Sequence, residues 1–429
     1  MEDTWSTAQA QEHIYEFDNL NIRQQKQLLN TLNAAFPPSR YRREKQQRRA
    51  ALINTEKGRR LLEGAQQHYP HLIYFDDVAG PQADMRRIGF VLTAGGEGER
   101  LRQSLMQQGA AEHELTNFTK ATWPLPHFHG NFGALHCNLA VIADLCQRSN
   151  RDIPVIVTTG PQGSTTARVI PQVIDENDGF GLKQLKILAQ NERLHLTDDE
   201  KIVWQLTDDE PHPVTNPDET GGPLAGLGDA LPNRAGQSGL DWLRSCGGAK
   251  LLVLQATALY DPHLIHAMVN ASQAVDALGV GIVRESFPAD DPYGSFVLVN
   301  NRARPSLAIL EKDIRNEFTR KIRDESGKHY LPFNTGFYAF DAELLEKNNL
   351  PDYATPPKEI RPDLPRSPKI GYAATDILPL AHHPAVLGVG ADLFAVIKKA
   401  DDLPRLAQLG RKCGLDALCR KVEKSQGNM

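Results

Sequence analysis

A glycine-rich loop that directly follows an apolar run is the feature of this sequence best suited to chemistry. The segment is Val91-Leu92-Thr93-Ala94-Gly95-Gly96-Glu97-Gly98-Glu99-Arg100-Leu101. Glycine lets a backbone approach an anion closely, because it has no Cβ and tolerates positive φ. Backbone N–H groups in such a loop donate charge-assisted hydrogen bonds to phosphate oxygens, and Arg100 adds a bidentate guanidinium. The segment therefore predicts a phosphate-binding loop.

Two common phosphate-binding loops do not fit this segment. A P-loop has Lys followed by Ser or Thr after its last glycine, whereas Glu99 and Arg100 follow Gly98. A dinucleotide-binding fingerprint has a third glycine where Leu101 stands, and no acidic residue closes an apolar strand about 20 residues further on. The remaining interpretations are a phosphate loop of another kind and a tight structural turn.

The segment from Gly95 to Leu101 resembles the loop Gly-Gly-x-Gly-(Thr/Glu)-Arg-Leu of the UDP-sugar pyrophosphorylases. These nucleotidyltransferases include the UDP-N-acetylhexosamine, UDP-glucose and broad-specificity UDP-sugar enzymes. Other segments resemble family motifs in the family's order over roughly residues 87–402, and this order is more specific than any single motif. They are Phe180-Gly181-Leu182-Lys183 with Gln190, Pro217-Asp218-Glu219-Thr220-Gly221-Gly222, Asn334-Thr335-Gly336, and Val396-Ile397-Lys398-Lys399-Ala400-Asp401.

The resemblance implies a role for each group of site residues. The implied catalytic residues are Arg100, Lys120 and Lys398. The implied nucleotide-binding residues are Leu92, Ala94, Gly95, Gly96, Gly98, Gln190, Pro217, Gly221 and Gly222, and the implied sugar-binding residues are Gly294, Glu311, Asn334 and Gly336. Lys120 with Leu125-Pro126 fits the family pattern, although residues 102–119 are largely an insertion. An exposed lysine on that insertion is the alternative for Lys120.

The reaction implied by the resemblance is uridylyl transfer from UTP to a sugar 1-phosphate, which gives UDP-sugar and pyrophosphate. The attacking phosphate is already anionic at neutral pH, because its second pKa is about 6, so no general base is required. The site must offset the repulsion between two polyanions, which requires backbone donors, Arg, Lys and a divalent ion, expected to be Mg²⁺. UTP and a sugar 1-phosphate are thus the expected ligands.

One position departs from the family. After the apolar run 251–254, the broad-specificity enzymes carry Gln-Asp-Thr-Asn, whose aspartate coordinates magnesium, whereas this chain has Gln255-Ala256-Thr257-Ala258. A methyl group cannot ligate a cation that requires oxygen donors. Three alternatives follow. Another acid replaces the aspartate, with Asp376 the first candidate and Asp261 the second; or phosphates and water hold the metal; or the protein binds nucleotides or nucleotide sugars and has lost turnover.

Short apolar runs that alternate with amphipathic stretches predict an α/β sheet with parallel members. The predicted strands are 88–92, 153–158, 185–188, 250–254 and 280–283, the predicted helices are 135–146 and 262–278, and antiparallel additions are predicted at 295–299, 307–310 and 334–340. Strands at 385–389 and 393–397 and a helix from Asp402 are predicted to follow. Together with the resemblance, the pattern implies a Rossmann-like (GT-A-like) nucleotidyltransferase core.

Three parts are expected along the chain. They are a helical N-terminal extension at 1–84, the catalytic core at 85–345, and a small C-terminal α/β region at 346–429 that closes the nucleotide site. The extension carries a basic run from Arg40 to Arg60. We expect this run to be a solvated helix face, with RNA contact as the alternative.

Composition excludes several classes of protein. The 429 residues carry 48 Lys+Arg and 53 Asp+Glu, a formal net charge of −5, which argues against a general nucleic-acid coat. Five cysteines without a Cys-x-x-Cys pair argue against a disulfide framework and a thiolate zinc site. The sequence has no apolar run of about 18 residues, and Met1 precedes Glu2 and Asp3 rather than a leader. We therefore expect a cytoplasmic protein without a membrane span.

Overall fold

The computed structural model describes residues 3–426 except 81–82, 129, 230, 232–235, 288–292, 301–304, 358, 360–363 and 365. The chain forms two compact units. The first comprises Met1–Arg60, Asn191–Gly222 and Leu350–Ala374, and the second comprises Leu61–Gln190, Pro223–Asn349 and Thr375–Met429. The first unit thus collects segments from all three of the parts expected along the chain. A functional division at residues 84 and 345 stays a prediction.

Helices occur in both units. They are α1 (Thr7–His13), α2 (Ile22–Ala35), α3 (Pro38–Gly64), α4 (Phe75–Val78), α5 (Glu99–Gln107), α6 (Ala134–Ser149), α7 (Thr165–Glu176), α8 (Gly222–Ala225), α9 (Gly239–Ser245), α10 (His263–Ser272), α11 (Ala342–Lys347), α12 (Leu403–Lys412) and α13 (Leu415–Gln426).

Strands are short except in the centre of the second unit. They are β1 (Gln66–His68), β2 (Leu72–Tyr74), β3 (Ile88–Thr93), β4 (Val155–Thr159), β5 (Leu185–Ala189), β6 (Glu192–Leu194), β7 (Trp204–Thr207), β8 (Glu210–Pro213), β9 (Thr215–Pro217), β10 (Lys250–Gln255), β11 (Ala258–Tyr260), β12 (Ala277–Arg284), β13 (Ser295–Asn300), β14 (Pro305–Leu310), β15 (Tyr330–Asp341), β16 (Asp352–Ala354), β17 (Ile370–Tyr372), β18 (Pro384–Val389) and β19 (Phe394–Val396).

A mixed sheet forms the centre of the second unit, in the order β2-β18-β12-β15-β10-β3-β4-β5. The neighbours along this path are parallel, except that β15 runs antiparallel to both β12 and β10. The expected α/β class with a mainly parallel sheet is therefore confirmed. The carboxyl ends of β10, β3, β4 and β5 lie along one edge, which is where open α/β sheets bind ligands.

Buried helices fix this sheet. Helix α6 is mostly buried, and its apolar residues join those of β3, β4 and β10 in one core. Helix α13 packs on α6, where the thiols of Cys137 and Cys419 lie 3.8 Å apart. All five cysteines are free thiols. The close packing of α6 and α13 thus fixes the strands that lead to the candidate site.

The first unit has its own core, made by α1, α2, the start of α3 and the short strands β6 and β7. Trp5 anchors this core, and its indole Nε1 donates to the Phe36 carbonyl at 2.8 Å. Helix α2 ends at Ala35 and α3 begins at Pro38, because the Pro37-Pro38 pair interrupts the helix.

Three sequence predictions need correction. The helix predicted at 262–278 ends at Ser272, and β12 already begins at Ala277. The N-terminal segment also contains β1 and β2, which pair with β13 and β18. The basic run is not wholly a solvated face, because α3 buries Glu44 and Arg48. Arg48 pairs with Asp198 at 3.0 Å, and Glu44 accepts from the Leu194 N–H at 2.7 Å.

Candidate active site

The predicted phosphate loop connects β3 to α5 in the second unit. The Ala94 N–H donates to the Thr158 carbonyl at 2.8 Å, and Gly98 adopts φ +76° directly before the helix begins. Among the residues that the structure describes, no acceptor faces the backbone N–H groups from Gly95 to Gly98. These N–H groups and the N-terminus of α5 form a concentration of unsatisfied donors, which is the arrangement that binds phosphate. Leu92 is fully buried and supports the loop from the sheet.

Gln190 lies directly beside the loop. A Cβ at Gly95 would lie 2.8 Å from Gln190 Nε2 and 2.9 Å from the Thr159 carbonyl oxygen. The Gln190 N–H holds this position by donating to the same carbonyl at 3.1 Å. The structure therefore brings together two of the sequence-predicted nucleotide residues, and only glycine fits at position 95.

Lys120 also packs on the loop, although an insertion separates the two in sequence. A Cβ at Gly98 would lie 2.8 Å from Lys120 Cβ and 3.1 Å from the Phe118 ring. Burial, together with the nearby charges of Arg100 and Lys398, lowers the pKa of Lys120 to about 8. The charges of Lys120, Arg100 and Lys398 thus interact, and an anion bound among these side chains would be stabilised.

Lys398, the third of these cations, belongs to the C-terminal part of the chain. Its segment is fixed by the Ile397 N–H, which donates to Thr257 O at 3.1 Å, and by the Ala400 N–H, which donates to Ser104 Oγ on α5 at 3.1 Å. The Lys398 N–H donates to Asp402 Oδ2 at 2.8 Å. The Lys398 ammonium lies over the Tyr293 ring, 3.5 Å from its centroid.

The residues predicted to bind sugar form a second cluster, in β15 and beside β13 and β14. The Asn334 N–H donates to Gly294 O at 2.8 Å, its Nδ2 donates to Tyr338 Oη at 2.9 Å, and its Oδ1 accepts from the Gly336 N–H at 2.9 Å. Gly336 has φ +77°, and any Cβ there would overlap the amide of Gln255 at the end of β10. The predicted sugar residues are therefore held next to the strand that precedes Ala256.

Glu311 belongs to the same cluster. A Cβ at Gly294 would lie 3.0 Å from Glu311 Oε1, so these two predicted residues are adjacent. Desolvation and the charge of Asp313 raise the pKa of the Glu311 carboxyl, while Arg315 and Lys398 oppose this shift. Lys398 thus interacts electrostatically both with Lys120 beside the loop and with Glu311 in the sugar cluster.

The described residues offer few ligands for a metal ion. Ala256 is fully buried at the end of β10. Within the described ranges, no three His, Cys, Asp or Glu side chains form a group that could hold a metal ion. Asp261 accepts from the His263 N–H at 2.9 Å and pairs with its ring, so it serves the start of α10. Asp376 differs, because burial raises its pKa to about 6 and its charge acts on Tyr338 in the sugar cluster.

Pro217, Gly221 and Gly222 belong to the first unit. Asp218, which follows Pro217, forms a buried ion pair with Arg193, and the Arg193 guanidinium also pairs with Asp352 at 2.9 Å. The Gly221 N–H donates to Tyr372 O at 2.7 Å, and a Cβ at Gly221 would lie 2.7 Å from Tyr372. Close packing and ion pairs therefore fix the conformation of this predicted nucleotide loop.

Sequence reasoning missed three residues that shape these clusters. Tyr293 carries the Lys398 ammonium, Gln255 packs under Gly336, and Arg193 braces the Pro217–Gly222 segment. The only sequence signals were an aromatic residue directly before Gly294 and an arginine shortly after Gln190. Neither signal identifies its partner, which lies far along the chain.

Searches of solved structures give several similar folds. A UDP-N-acetylglucosamine pyrophosphorylase from Trypanosoma brucei has a TM-score of 0.66 and 13% identity, covering 94% of this chain and 82% of that chain. A UDP-glucose pyrophosphorylase from Leishmania major has a TM-score of 0.57 and 14% identity, covering 84% and 77%. A UDP-glucose phosphorylase from Trypanosoma brucei has a TM-score of 0.56 and 16% identity, covering 79% and 70%. The chain has the fold of the UDP-sugar pyrophosphorylases.

The resemblance found in the sequence is thus confirmed at the level of the fold. No protein-family model matches the sequence, and neither does any curated protein. Within the described part of the chain, no helix combines the length and apolar character that a membrane crossing needs.

Proposed function

We propose that this protein is a UDP-sugar pyrophosphorylase that transfers a uridylyl group from UTP to a sugar 1-phosphate. The observation that carries the proposal is the glycine loop at the start of α5, whose N–H groups have no acceptor among the described residues and beside which Lys120 packs. A fold shared with pyrophosphorylases supports the same conclusion.

The proposed reaction is a displacement at the α-phosphorus of UTP. An oxygen of the sugar 1-phosphate forms a bond to this phosphorus, and the bond from it to the oxygen that bridges to the β-phosphorus breaks. Pyrophosphate leaves with the electron pair. The loop N–H groups, Arg100 and Lys120 bind the β- and γ-phosphates and stabilise the departing charge, and Lys398 binds the sugar phosphate and the α-phosphate.

Asp376 is the residue best suited to hold a divalent ion. It is a mostly buried carboxylate whose pKa is raised by burial, and no ion pair of Asp376 occurs within the described residues. A magnesium ion commonly takes only one or two carboxylates and completes its shell with water and substrate phosphates, so this donor set fits. When bound, Mg²⁺ would neutralise phosphate charge. The chain's own part is to offer the Asp376 oxygen beside the sugar cluster.

The remaining predicted residues are assigned to the nucleotide or to the sugar. Leu92, Ala94, Gly95, Gly96, Gly98 and Gln190 form the nucleotide side in the second unit. Pro217, Gly221 and Gly222, which belong to the first unit, stay predicted nucleotide-binding residues. Gly294, Glu311, Asn334 and Gly336 bind the sugar hydroxyl groups. Closure of the site by residues 346–429 and a cytoplasmic location stay predictions.

A second candidate is a binding protein that has lost turnover. The observation that favours it is Ala256, whose fully buried methyl group occupies the position of the family's metal-binding aspartate. Such a protein would hold UTP or a UDP-sugar in the same loop and would not release pyrophosphate.

One experiment separates these candidates. The protein is incubated with UTP, Mg²⁺ and a panel of hexose and N-acetylhexosamine 1-phosphates, and pyrophosphate release is followed. The enzyme is expected to respond to at least one sugar, and Lys398→Met should strongly reduce the rate of release while leaving it measurable, whereas Lys347→Met on an exposed helix should not change it. Binding of UTP without release, together with activity gained in Ala256→Asp, would instead establish the binding protein. The absence of both UTP binding and pyrophosphate release would contradict both proposals.

A further inference from the structure

The Lys398 ammonium rests on the face of an aromatic ring that belongs to a different part of the second unit. Lys398 Nζ lies 3.5 Å from the centroid of Tyr293, well inside the roughly 6 Å range of a cation–π contact. The Tyr293 ring is itself stacked on Phe333, with centroids 4.7 Å apart and an interplanar angle of 20°. The ammonium therefore rests on a layered aromatic support.

This support is fixed to the sheet. Phe333 lies in β15, where it faces Ile282 of β12 and Ser295 of β13 in the strand register. Tyr293 directly precedes Gly294, whose carbonyl accepts from the Asn334 N–H. The backbone directly after this ring is thus hydrogen-bonded to the predicted sugar residue Asn334.

A lysine needs such a support more than an arginine would. Its side chain has four rotatable bonds, and holding it in one conformation costs rotamer entropy. The other cations of the cluster also repel it, because the charges of Lys398 and Lys120 interact. Without the ring, the ammonium would sample conformations directed away from this like charge.

We propose that Tyr293 is a positioning residue, which acts through Lys398 by holding its ammonium ready for the substrate phosphate. The proposal rests on the phosphate role given to Lys398 above. The contact with the ammonium is made by the face of the aromatic ring. Phenylalanine at position 293 should therefore preserve the positioning of Lys398, and leucine should not. Tyr293 itself donates nothing to the reacting atoms.

A double-mutant cycle tests this dependence. Tyr293→Leu should lower kcat/KM for pyrophosphate release by about tenfold, within the range of a partly desolvated cation–π contact, and Tyr293→Phe should stay within about twofold of the parent protein. In the Lys398→Met background, Tyr293→Leu should have no further effect. Equal losses in both backgrounds, or no loss in the parent protein, would overturn the proposal. Tyr293→Met is the second ring-free variant if the leucine variant does not fold.

A matched control is available in the same unit. Tyr330→Leu removes another aromatic ring in cation–π contact, because the guanidinium carbon of Arg323 lies 3.2 Å from the centroid of the Tyr330 ring. This change should leave kcat/KM and its coupling to Lys398 unchanged. The same tenfold coupling to Lys398 in Tyr330→Leu would overturn the assignment of the effect to Tyr293.

The positioning role of Tyr293 can be tested even if the protein has no pyrophosphorylase activity. If the parent protein releases no pyrophosphate, the same cycle is measured on the dissociation constant for UDP, with Tyr293→Leu again weakening binding only when Lys398 is present. The ring-current shift of the Lys398 ε-methylene NMR signal gives a readout that needs no ligand. An upfield signal that survives Tyr293→Phe and is lost in Tyr293→Leu supports the contact, and an unshifted signal in the parent protein overturns it.

Discussion

The lowered pKa of Lys120 makes the activity sensitive to pH in a range where ordinary lysines do not titrate. Its pKa is about 8, because the side chain is buried and lies near Arg100 and Lys398. Raising the pH from 7 to 9 reduces the charged fraction from about ten-elevenths to about one-eleventh. If the ammonium binds the β- and γ-phosphates, kcat/KM should fall about tenfold over this interval. A lysine with its ordinary pKa would stay almost fully charged.

The assay is the pH profile of pyrophosphate release at constant ionic strength. Lys120→Arg should remove the fall between pH 7 and 9, because a guanidinium keeps its charge. The profile of kcat should break at a higher pH than that of kcat/KM, because bound phosphates raise the pKa of Lys120 in the complex. A flat profile to pH 9 in the parent protein, or the same fall in Lys120→Arg, would refute this account. Lys347→Arg is the control.

The same shift affects folding. Since the pKa of Lys120 is about 8 in the folded protein and 10.5 ordinarily, the folded state binds fewer protons between these values. The cost of burying the ammonium is therefore fully present below pH 8 and disappears as the pH rises toward 10.5. The shift corresponds to about 3 kcal/mol, so Lys120→Met should increase the free energy of unfolding at pH 7 while it lowers activity. A destabilised Lys120→Met protein would contradict this reasoning.

Two further substitutions test the loops. Gly98→Ala should raise the KM for UTP at least about tenfold, because φ is +76° and the new Cβ would press on Lys120, and the strain should cost about 1–2 kcal/mol of stability. Gly96→Ala meets nothing within 4 Å, so its unfolding free energy should not change. Arg193→Lys should lower the unfolding free energy by about 3 kcal/mol in denaturant titration, because a single ammonium cannot replace the guanidinium that pairs with both Asp218 and Asp352, and one of these carboxylates loses its partner. Arg49→Lys, on an exposed pair, should change it by less than about 1 kcal/mol, and equal effects would contradict the assigned role of Arg193.

Local patterns predicted the phosphate loop well. An apolar run followed by glycines specifies a buried strand, a turn and a helix start, and all three involve neighbours in sequence. The structure adds that Gly95 faces Gln190 and Gly98 faces Lys120. Both proximities were implied by motif order rather than by any local property.

Features that depend on distant pairing were harder to predict. The apolar period of α10 continues past Ser272, yet residues 277–284 pair with β15 and β18 and become a strand. Strands β1 and β2 have three residues each and exist only through their partners. The contact between Lys398 and Tyr293 joins segments over a hundred residues apart. Periodicity and composition carry no information about such pairs.

We propose that the loop from Gly95 to Gly98 and the cations around it bind the phosphates of a nucleotide. A crystal structure with UTP bound tests this most directly. We predict phosphate oxygens within hydrogen-bond distance of the loop N–H groups, with the ammonium of Lys120 and the guanidinium of Arg100 in contact with the same phosphates. UTP bound elsewhere, or bound with its triphosphate directed away from this loop, would contradict the account.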